Sequence, residues 1–372
     1  MKVLIAIPCL LTGGTEIQTL NLVQALLQDR HQVVVICYFE YSQEMVHRYQ
    51  ETGCKVICLN SSGVRIGGWK GALYLFKGLR RVLKIVHPEI VHVQYMAPGA
   101  IPILLLRLLG IKNIVATVHT AADIYPNLCL IHFIQKYCVR AFTCITLRAE
   151  ESFFGSSVLY NSEFVLKKRN HFTIYNALPS YIHIRENKKN FSNGIITLGV
   201  VSRLEWIKGM DLVIPIFAKL KLQYPAIHLL VVGDGSQRAI MQQQALKLGV
   251  NDYIEWTGRQ EQSTLQALYD KIDILLMPSR SEGFGLTAIE GMARGCIVVA
   301  SNIGGLPEVV KDRVVGLLHQ TEDKEDIVVK IQSLLEDQTK MIQYSQNALS
   351  HVLQFSFEKY AMAFCDLYKR IS

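Results

Sequence analysis

Glycine-containing turns follow four of the strands that the sequence predicts. They span residues 12–16, 202–209, 278–291 and 302–308. Glycines let a backbone come close to a ligand, and the unpaired amides at the start of a helix favour an anion. Ligands of open α/β sheets bind beyond the carboxyl ends of the strands. Together the four turns indicate phosphate-binding chemistry at strand ends.

Two cations lie five residues apart where one predicted strand ends and a helix starts. They are Arg203 and Lys208. Arginine offers a planar fork of donors and lysine a point charge, a combination that suits a diphosphate. On spacing alone, the alternative is an exposed turn with two solvated cations.

The turn over residues 278–291 is the richest in candidate ligand contacts. A strand ends, two glycines follow, and a helix begins near Leu286, so the amides of residues 285–287 can hold a phosphate. Glu290 lies one helical turn further, where a carboxylate would repel that anion, and we therefore expect it to accept hydrogen bonds from a pair of ribose hydroxyls. Glu282 precedes the helix and is placed to bind sugar hydroxyls.

Short β-rich segments alternate with helical periods along the whole chain, which predicts two doubly wound α/β domains. We assign residues 1–185 to an N-terminal domain and residues 186–355 to a second domain, because residues 186–194 form a polar, turn-rich linker. Residues 356–372 are expected to form a C-terminal helix that packs back on the first domain. The predicted strands are 3–8, 32–38, 55–59, 90–94 and 114–119, then 195–202, 228–233, 254–257, 274–278 and 297–301.

Composition excludes several classes of protein. Half of the 372 residues are hydrophobic and 19% are charged, so the chain is not disordered. The most apolar run, 101–111, is interrupted by Arg107 and Gly110 and is too short to span a membrane. The first residues are better explained as a buried strand than as a signal peptide. Nine cysteines without a C-x-x-C pattern predict buried thiols in a reducing cytoplasm.

Positive charge is concentrated in the first half of the chain. Residues 1–190 hold 21 lysines and arginines against 11 acidic residues. On the helix predicted over residues 69–86, Lys70, Lys77, Arg81 and Lys84 share one face. This pattern predicts docking on a membrane surface or on an anionic acceptor. The alternative is an ordinary surface helix with one charged face.

The second half of the chain resembles the donor domain of the family-four retaining glycosyltransferases, which have the GT-B fold of two Rossmann-like domains facing across a cleft. The matching residues are Arg203, Lys208-Gly209, Gly233-Asp234-Gly235, Glu282 and Glu290 around Gly283-Phe284-Gly285, Gly304-Gly305 with Pro307-Glu308, and Gly316-Leu317-Leu318. The first half matches more loosely, through Gly13-Gly14-x-Glu16 and Val118-His119-Thr120.

The resemblance implies that residues 1–185 are an acceptor-side domain and residues 186–355 a nucleotide-sugar donor domain. It also implies a role for each matching residue. Arg203 and Lys208 would bind the donor diphosphate and Glu290 the ribose, while His119 would face the donor sugar from the first domain. The implied catalytic set is His119, Arg203, Lys208 and Glu282. The implied donor-binding set is Gly14, Arg203, Lys208, Glu282, Gly283, Phe284, Gly285, Leu286, Thr287 and Glu290.

From the resemblance we expect a metal-independent, retaining hexosyltransferase that uses a nucleotide-diphosphate sugar, with a UDP-sugar favoured over a GDP-sugar. The acceptor would be a glycan or a lipid-linked molecule in polysaccharide or glycoconjugate synthesis, with no nucleic acid partner. No cofactor is expected: Gly13-Gly14 does not match G-x-G-x-x-G, and the sequence contains no Asp-x-Asp. We expect a cytoplasmic enzyme, peripheral at the inner face of the membrane. The alternatives are a nucleotide-sugar epimerase of related fold and a non-catalytic nucleotide-sugar-binding protein.

Overall fold

The computed structural model describes residues 1–60, 66–94, 100–120, 127–161, 169–191 and 194–372. Its contacts divide the chain into two units. The first contains residues Met1–Pro179 and Phe357–Ser372, and the second contains Ser180–Ser356. This division lies a few residues before the boundary assigned from the sequence.

The first unit is built on a seven-stranded sheet in which every described pair of neighbouring strands is parallel. The strand order is β3-β2-β1-β4-β5-β6-β7. The strands are Lys2–Ile7 (β1), Gln32–Cys37 (β2), Lys55–Cys58 (β3), Ile90–Gln94 (β4), Ile114–Val118 (β5), Ala141–Cys144 (β6) and His171–Thr173 (β7). The helices are Gly14–Gln28 (α1), Gln43–Glu51 (α2), Gly68–Val86 (α3), Ile101–Leu108 (α4), Leu128–Tyr137 (α5) and Leu147–Phe154 (α6). Residues of α3 to α6 pack into one hydrophobic core with the strands.

The second unit has a six-stranded sheet, also with parallel neighbours, in the order β10-β9-β8-β11-β12-β13. The strands are Ile196–Val201 (β8), Ile227–Val232 (β9), Ile254–Gly258 (β10), Ile274–Met277 (β11), Ile297–Ser301 (β12) and Gly316–His319 (β13). The helices are Met210–Gln223 (α7), Arg238–Lys247 (α8), Gln262–Lys271 (α9), Leu286–Ala293 (α10), Leu306–Val309 (α11), Lys324–Leu335 (α12) and Gln338–His351 (α13). The doubly wound fold predicted from the sequence is confirmed in both units.

The predicted bounds hold to within a few residues, with two kinds of exception. The strands β6, β7 and β13 were not predicted, because each has only three or four residues and contains polar residues or glycine that shorten the apolar run, whereas the equally short β11 is apolar throughout. The helix predicted from Lys208 begins instead at Met210, after a single 3-10 turn over Trp206–Lys208. Gly209 separates the two because its φ of 69° lies in the left-handed region.

The C-terminal helix, Phe357–Ile371 (α14), packs on the first unit. The hydroxyl of Tyr360 donates to the backbone oxygen of Gln18 in α1 at 3.1 Å. The buried hydroxyl of Tyr368 lies 2.5 Å from His92 Nδ1 in β4. An ion pair joins Lys369 to Asp29, just past the end of α1. Of the helices in the described ranges, none is long and apolar enough to cross a bilayer.

Candidate functional site

The loops that leave β8, β9 and β11 touch one another through glycine. A Cβ built on Gly233, after β9, would lie 1.8 Å from the backbone oxygen of Ser202, after β8. A Cβ on Gly209, at the end of the β8 loop, would lie 1.9 Å from the backbone oxygen of Pro278, after β11. Both glycines have positive φ, so any side chain here would be both strained and in collision.

The loop after β12 closes on the β11 loop in the same way. A Cβ on Gly304 would lie 1.8 Å from the backbone oxygen of Glu282, and the amide of Gly305 donates to that oxygen at 3.2 Å. In sheet order, β9, β8, β11 and β12 are consecutive neighbours. Four adjacent strand-exit loops are therefore locked to one another, each to the next, at the carboxyl edge of the second sheet.

Arg280 ties the β8 loop to the β11 loop with its side chain. Its guanidinium donates to both carboxylate oxygens of Asp211 at 2.7 and 2.9 Å, to the backbone oxygen of Trp206 at 2.6 Å and to Glu322 at 2.6 Å. It also stacks over the Trp206 ring, 4.1 Å from the centroid. Burial alone would raise the pKa of Asp211, but the hydrogen bonds and the positive charge of Arg280, with smaller contributions from a backbone hydrogen bond and Lys324, together hold that pKa below its usual value. No spacing in the sequence indicates this role for Arg280, because its partners are 42 to 74 residues away.

Lys208 and Glu282, both expected in the site, are in direct contact. The Nζ atom of Lys208 donates to Glu282 Oε2 at 2.6 Å, and both side chains are mostly buried. Arg203 lies on the same β8 loop with an exposed side chain. The ion pair with Glu282 holds the Lys208 side chain in one position. A diphosphate bound here would compete with Glu282 for the Lys208 ammonium group.

Helix α10 begins at the position where the sequence places a phosphate site. Gly285 caps it with a φ of 103°, and Leu286 and Thr287 form its first turn. The first amides of a helix have no intrahelical acceptor and carry the positive end of the helix dipole. Phe284 is buried with its ring edge-on to Phe355 at 5.7 Å, which fixes the loop just before the helix. Gly283 is the residue between Glu282 and Phe284 in the sequence.

Glu290, one turn into α10, is buried and doubly hydrogen-bonded. Its Oε1 accepts from the hydroxyl of Tyr181 at 2.7 Å and its Oε2 from the hydroxyl of Tyr269 at 2.6 Å. Burial raises the pKa of Glu290, and the two hydrogen bonds offset part of that rise. Neither tyrosine was singled out from the sequence, because no spacing links them to Glu290. Each carboxylate oxygen can still accept one more hydrogen bond, as ribose binding would require.

The remaining candidates, His119 and Gly14, lie in the first unit. His119 follows β5, and its Nε2 lies 2.8 Å from Gln94 Oε1 in β4. Although part of the residue is exposed, burial lowers the pKa of the His119 imidazole to about 3. Gly14 is exposed at the start of α1, and the buried Glu16 packs its carboxylate against the turn just before it.

The structure thus brings the candidates of the second unit to one sheet edge and leaves His119 and Gly14 in the other unit. Within the ranges that the structure describes, no group of three histidine, cysteine or acidic side chains is arranged to hold a metal ion.

A parallel-sheet unit with locked strand-exit loops, preceded by a second unit of the same class, is the architecture of a GT-B glycosyltransferase. Two family models match this chain: "Glycosyltransferase Family 4" over residues 12–168 and "Glycosyl transferases group 1" over residues 183–351. Together they span most of the chain, which belongs to the family-four type of glycosyltransferases.

Individual proteins agree with this family. An uncharacterized glycosyltransferase of Methanocaldococcus jannaschii is 25% identical over 97% of this chain and 95% of its own length. The D-inositol 3-phosphate glycosyltransferase of Segniliparus rotundus is 34% identical, but the match covers only 42% of this chain and 36% of that protein. A protein from Anabaena, crystallised with UDP and glucose, shares the fold with a TM-score of 0.77 at 17% identity, over the full length of both chains.

The contact between Gly304 and Glu282 can be tested with an alanine substitution. We expect Gly304→Ala to destabilise the protein by about 1–3 kcal/mol more than Gly249→Ala, because a methyl group at 304 must displace a backbone oxygen. Gly249 is the matched control: its φ of 68° is similar, but nothing lies within 4 Å of its Cβ position. Thermal and urea unfolding of both variants measure the difference. Equal losses of stability would show that the loops can separate without cost.

Proposed function

We propose that this glycosyltransferase moves a hexose from a nucleotide-diphosphate sugar to a glycan or lipid-linked acceptor, with retention of anomeric configuration. The observation that carries the proposal is the carboxyl edge of the second sheet, where locked loops place Lys208, Glu282 and the start of α10 together. The Anabaena protein of the same fold was crystallised with UDP and glucose, which supports a uridine nucleotide as the donor.

In this proposal Arg203 and Lys208 neutralise the charge that develops on the departing diphosphate, and the amides of Leu286 and Thr287 hold a phosphate. No metal is needed for that neutralisation. The acceptor attacks from the side of the leaving group, and the diphosphate oxygen takes the acceptor's proton. This route needs no covalent glycosyl–enzyme intermediate on Glu282.

Contacts to the rest of the donor complete the proposal. Glu290 accepts hydrogen bonds from the ribose hydroxyls, and Glu282 with the backbone around Gly283 contacts the transferred sugar. His119 contacts the same sugar from the first unit, and Gly14 contributes to donor binding. Because the pKa of His119 is lowered to about 3, its imidazole is neutral at pH 7 and acts as a hydrogen-bonding group rather than as a cation.

A panel of nucleotide sugars tests this function. Thermal shift would rank UDP- and GDP-sugars as ligands, and mass spectrometry of products formed with glycan and lipid-linked acceptors would show transfer. Anomeric NMR of the product would report retention or inversion. Isomerisation of the donor without transfer would instead favour an epimerase, and tight donor binding without turnover would favour a non-catalytic binding protein.

Removing either diphosphate cation should slow catalysis. We expect Arg203→Ala and Lys208→Ala each to raise the barrier for kcat/KM by about 2–4 kcal/mol, because stabilisation of the leaving group is lost. Lys271→Ala is the matched control, since Lys271 is an exposed lysine paired with Glu255 at 3.1 Å on another part of the unit. Steady-state release of nucleotide diphosphate is the measurement. A change below threefold in both variants would reject this assignment.

The ribose contact predicts a selective loss of nucleotide affinity. Glu290→Gln should weaken UDP binding, measured by calorimetry, because an amide cannot accept from both ribose hydroxyls. The folded-state pKa of Glu290 is raised, so its ionisation opposes folding, and wild-type stability should fall relative to Glu290→Gln as the pH rises above about 4.5. Unchanged UDP affinity in the variant would contradict the ribose role.

We further propose that the first unit contacts an anionic membrane surface, where a lipid-linked acceptor would be found. The outer face of α3 carries the cations expected from the sequence, Lys70, Lys77, Arg81 and Lys84, all of them exposed. Trp69 is 73% exposed and Ile85 63% exposed on the same helix. Cations mixed with exposed aromatic and aliphatic side chains suit the boundary between lipid headgroups and acyl chains.

Helix α5 contributes to the proposed membrane-contacting surface. Its buried residues belong to the same hydrophobic core as those of α3. Its Phe133 and Tyr137 rings are exposed and lie 5.2 Å apart, with Lys136 over the Tyr137 ring. The helices α3, α4 and α5 contain no carboxylate side chain. The formal charge carried by these three helices is therefore entirely positive.

Co-sedimentation with liposomes tests the membrane contact. Binding should rise as phosphatidylglycerol replaces phosphatidylcholine, since each cation near anionic lipid contributes about 1 kcal/mol. Changing Lys70, Lys77, Arg81 and Lys84 together to Gln should abolish that rise. The control changes four exposed lysines of the second unit to Gln, which alters net charge equally: Lys188, Lys247, Lys271 and Lys311. Equal binding by the two variants would disprove docking through α3.

A further inference from the structure

A chain of hydrogen bonds runs inside the first unit from His119 to the C-terminal helix. His119 Nε2 lies 2.8 Å from Gln94 Oε1, and Gln94 Nε2 lies 3.2 Å from His92 Nε2. His92 Nδ1 in turn lies 2.5 Å from the hydroxyl of Tyr368 in α14. Gln94, His92 and Tyr368 are all buried, so solvent does not compete for the hydrogen bonds among these three residues.

The chain fixes where each proton sits. The side-chain oxygen of Gln94 can only accept, so His119 must carry its hydrogen on Nε2. The side-chain nitrogen of Gln94 can only donate, so His92 accepts at Nε2 and carries its own hydrogen on Nδ1, which it donates to Tyr368. Burial lowers the pKa of both imidazoles to about 3, so at pH 7 each ring is neutral and has a single N–H.

This polar chain has both apolar and polar neighbours in the core. The His92 ring packs against the Phe364 ring with centroids 5.7 Å apart, and its Nε2 is also 2.6 Å from the Thr117 hydroxyl. Buried polar groups that satisfy one another add little net stability over well-packed apolar residues, yet breaking one member is costly. A contribution to stability therefore does not explain why hydrogen-bonded polar side chains connect α14 to His119.

We propose that Gln94, His92 and Tyr368 are positioning residues that hold the His119 imidazole in its Nε2–H tautomer and in one ring orientation. The proposal rests on the proposed function, in which His119 contacts the donor sugar. In that tautomer Nδ1 carries no hydrogen, so this ring nitrogen is an acceptor, the role that a contact with a sugar hydroxyl requires. The C-terminal helix thus acts on the site through a hydroxyl at its far end.

Two tyrosines of α14 provide a matched pair of variants. Tyr368→Phe removes the acceptor for His92, whereas Tyr360→Phe removes an equally buried hydroxyl that bonds only to the Gln18 backbone among the contacts described. The side-chain ¹⁵N spectrum of the whole protein reports histidine tautomers directly, and the His119 signals are assigned by their loss in His119→Asn. Release of UDP from UDP-glucose is measured alongside.

We expect the wild-type protein to show His119 as the Nε2–H tautomer and Tyr360→Phe to leave it unchanged. Tyr368→Phe and Gln94→Leu should give a mixture of tautomers and lower kcat about tenfold to a hundredfold, with little change in KM. Gln94→Glu keeps the acceptor for His119 but adds a charge, and should raise the pKa of His119 by about one to three units and shift the pH profile of kcat with it.

An unchanged His119 tautomer in both Tyr368→Phe and Gln94→Leu would overturn the positioning role, as would an Nδ1–H tautomer in the wild-type protein. The spectra separate this inference from the proposed function. If the tautomer shifts as expected but His119→Asn releases UDP at the wild-type rate, the positioning chain stands and the sugar contact of His119 is wrong.

Discussion

The candidate site depends on backbone contacts that only glycine allows. At three places, a glycine after one strand lies so close to a carbonyl oxygen after the neighbouring strand that no Cβ fits between them. Close-packed atoms cannot move independently of one another. The loops after β8, β9, β11 and β12 therefore form one rigid surface. Arg280 reinforces it through Asp211 and Trp206. That surface fixes the positions of Lys208, Glu282 and the start of α10.

The fold could be predicted well from the sequence because parallel strands buried on both faces are short runs of mostly apolar residues, which are easy to recognise. The strands Ile90–Gln94 and Ile297–Ser301 are found as predicted, since each is a run of β-branched and apolar residues between turns. Short strands such as His171–Thr173 were missed, because their place in the sheet is set by a neighbour rather than by their own residues. The same pattern places the candidate loops of the second unit after neighbouring strands, and the structure brings these loops to one edge of the second sheet.

What the sequence could not provide is the set of partners around each candidate residue. Glu290 meets Tyr181 and Tyr269, which lie 109 and 21 residues away in the chain, and His92 meets Tyr368 across 276 residues. No spacing rule connects such positions, because the fold alone brings them together. His92 in particular looked like an ordinary member of a buried strand. These supporting residues set proton positions and pKa values at the site, and they became visible only with the structure.

The assignment of helix α14 to the first unit has a consequence for how the chain folds during synthesis. The first unit contains residues 1–179 and also residues 357–372, so the ribosome makes the whole second unit before α14 exists. Until then, the faces of α1 and β4 that later meet Tyr360 and Tyr368 are uncovered, and His92 has no hydroxyl to receive its proton. The second unit is contiguous and can fold first. The first unit can therefore complete its fold only after the second unit has been synthesised.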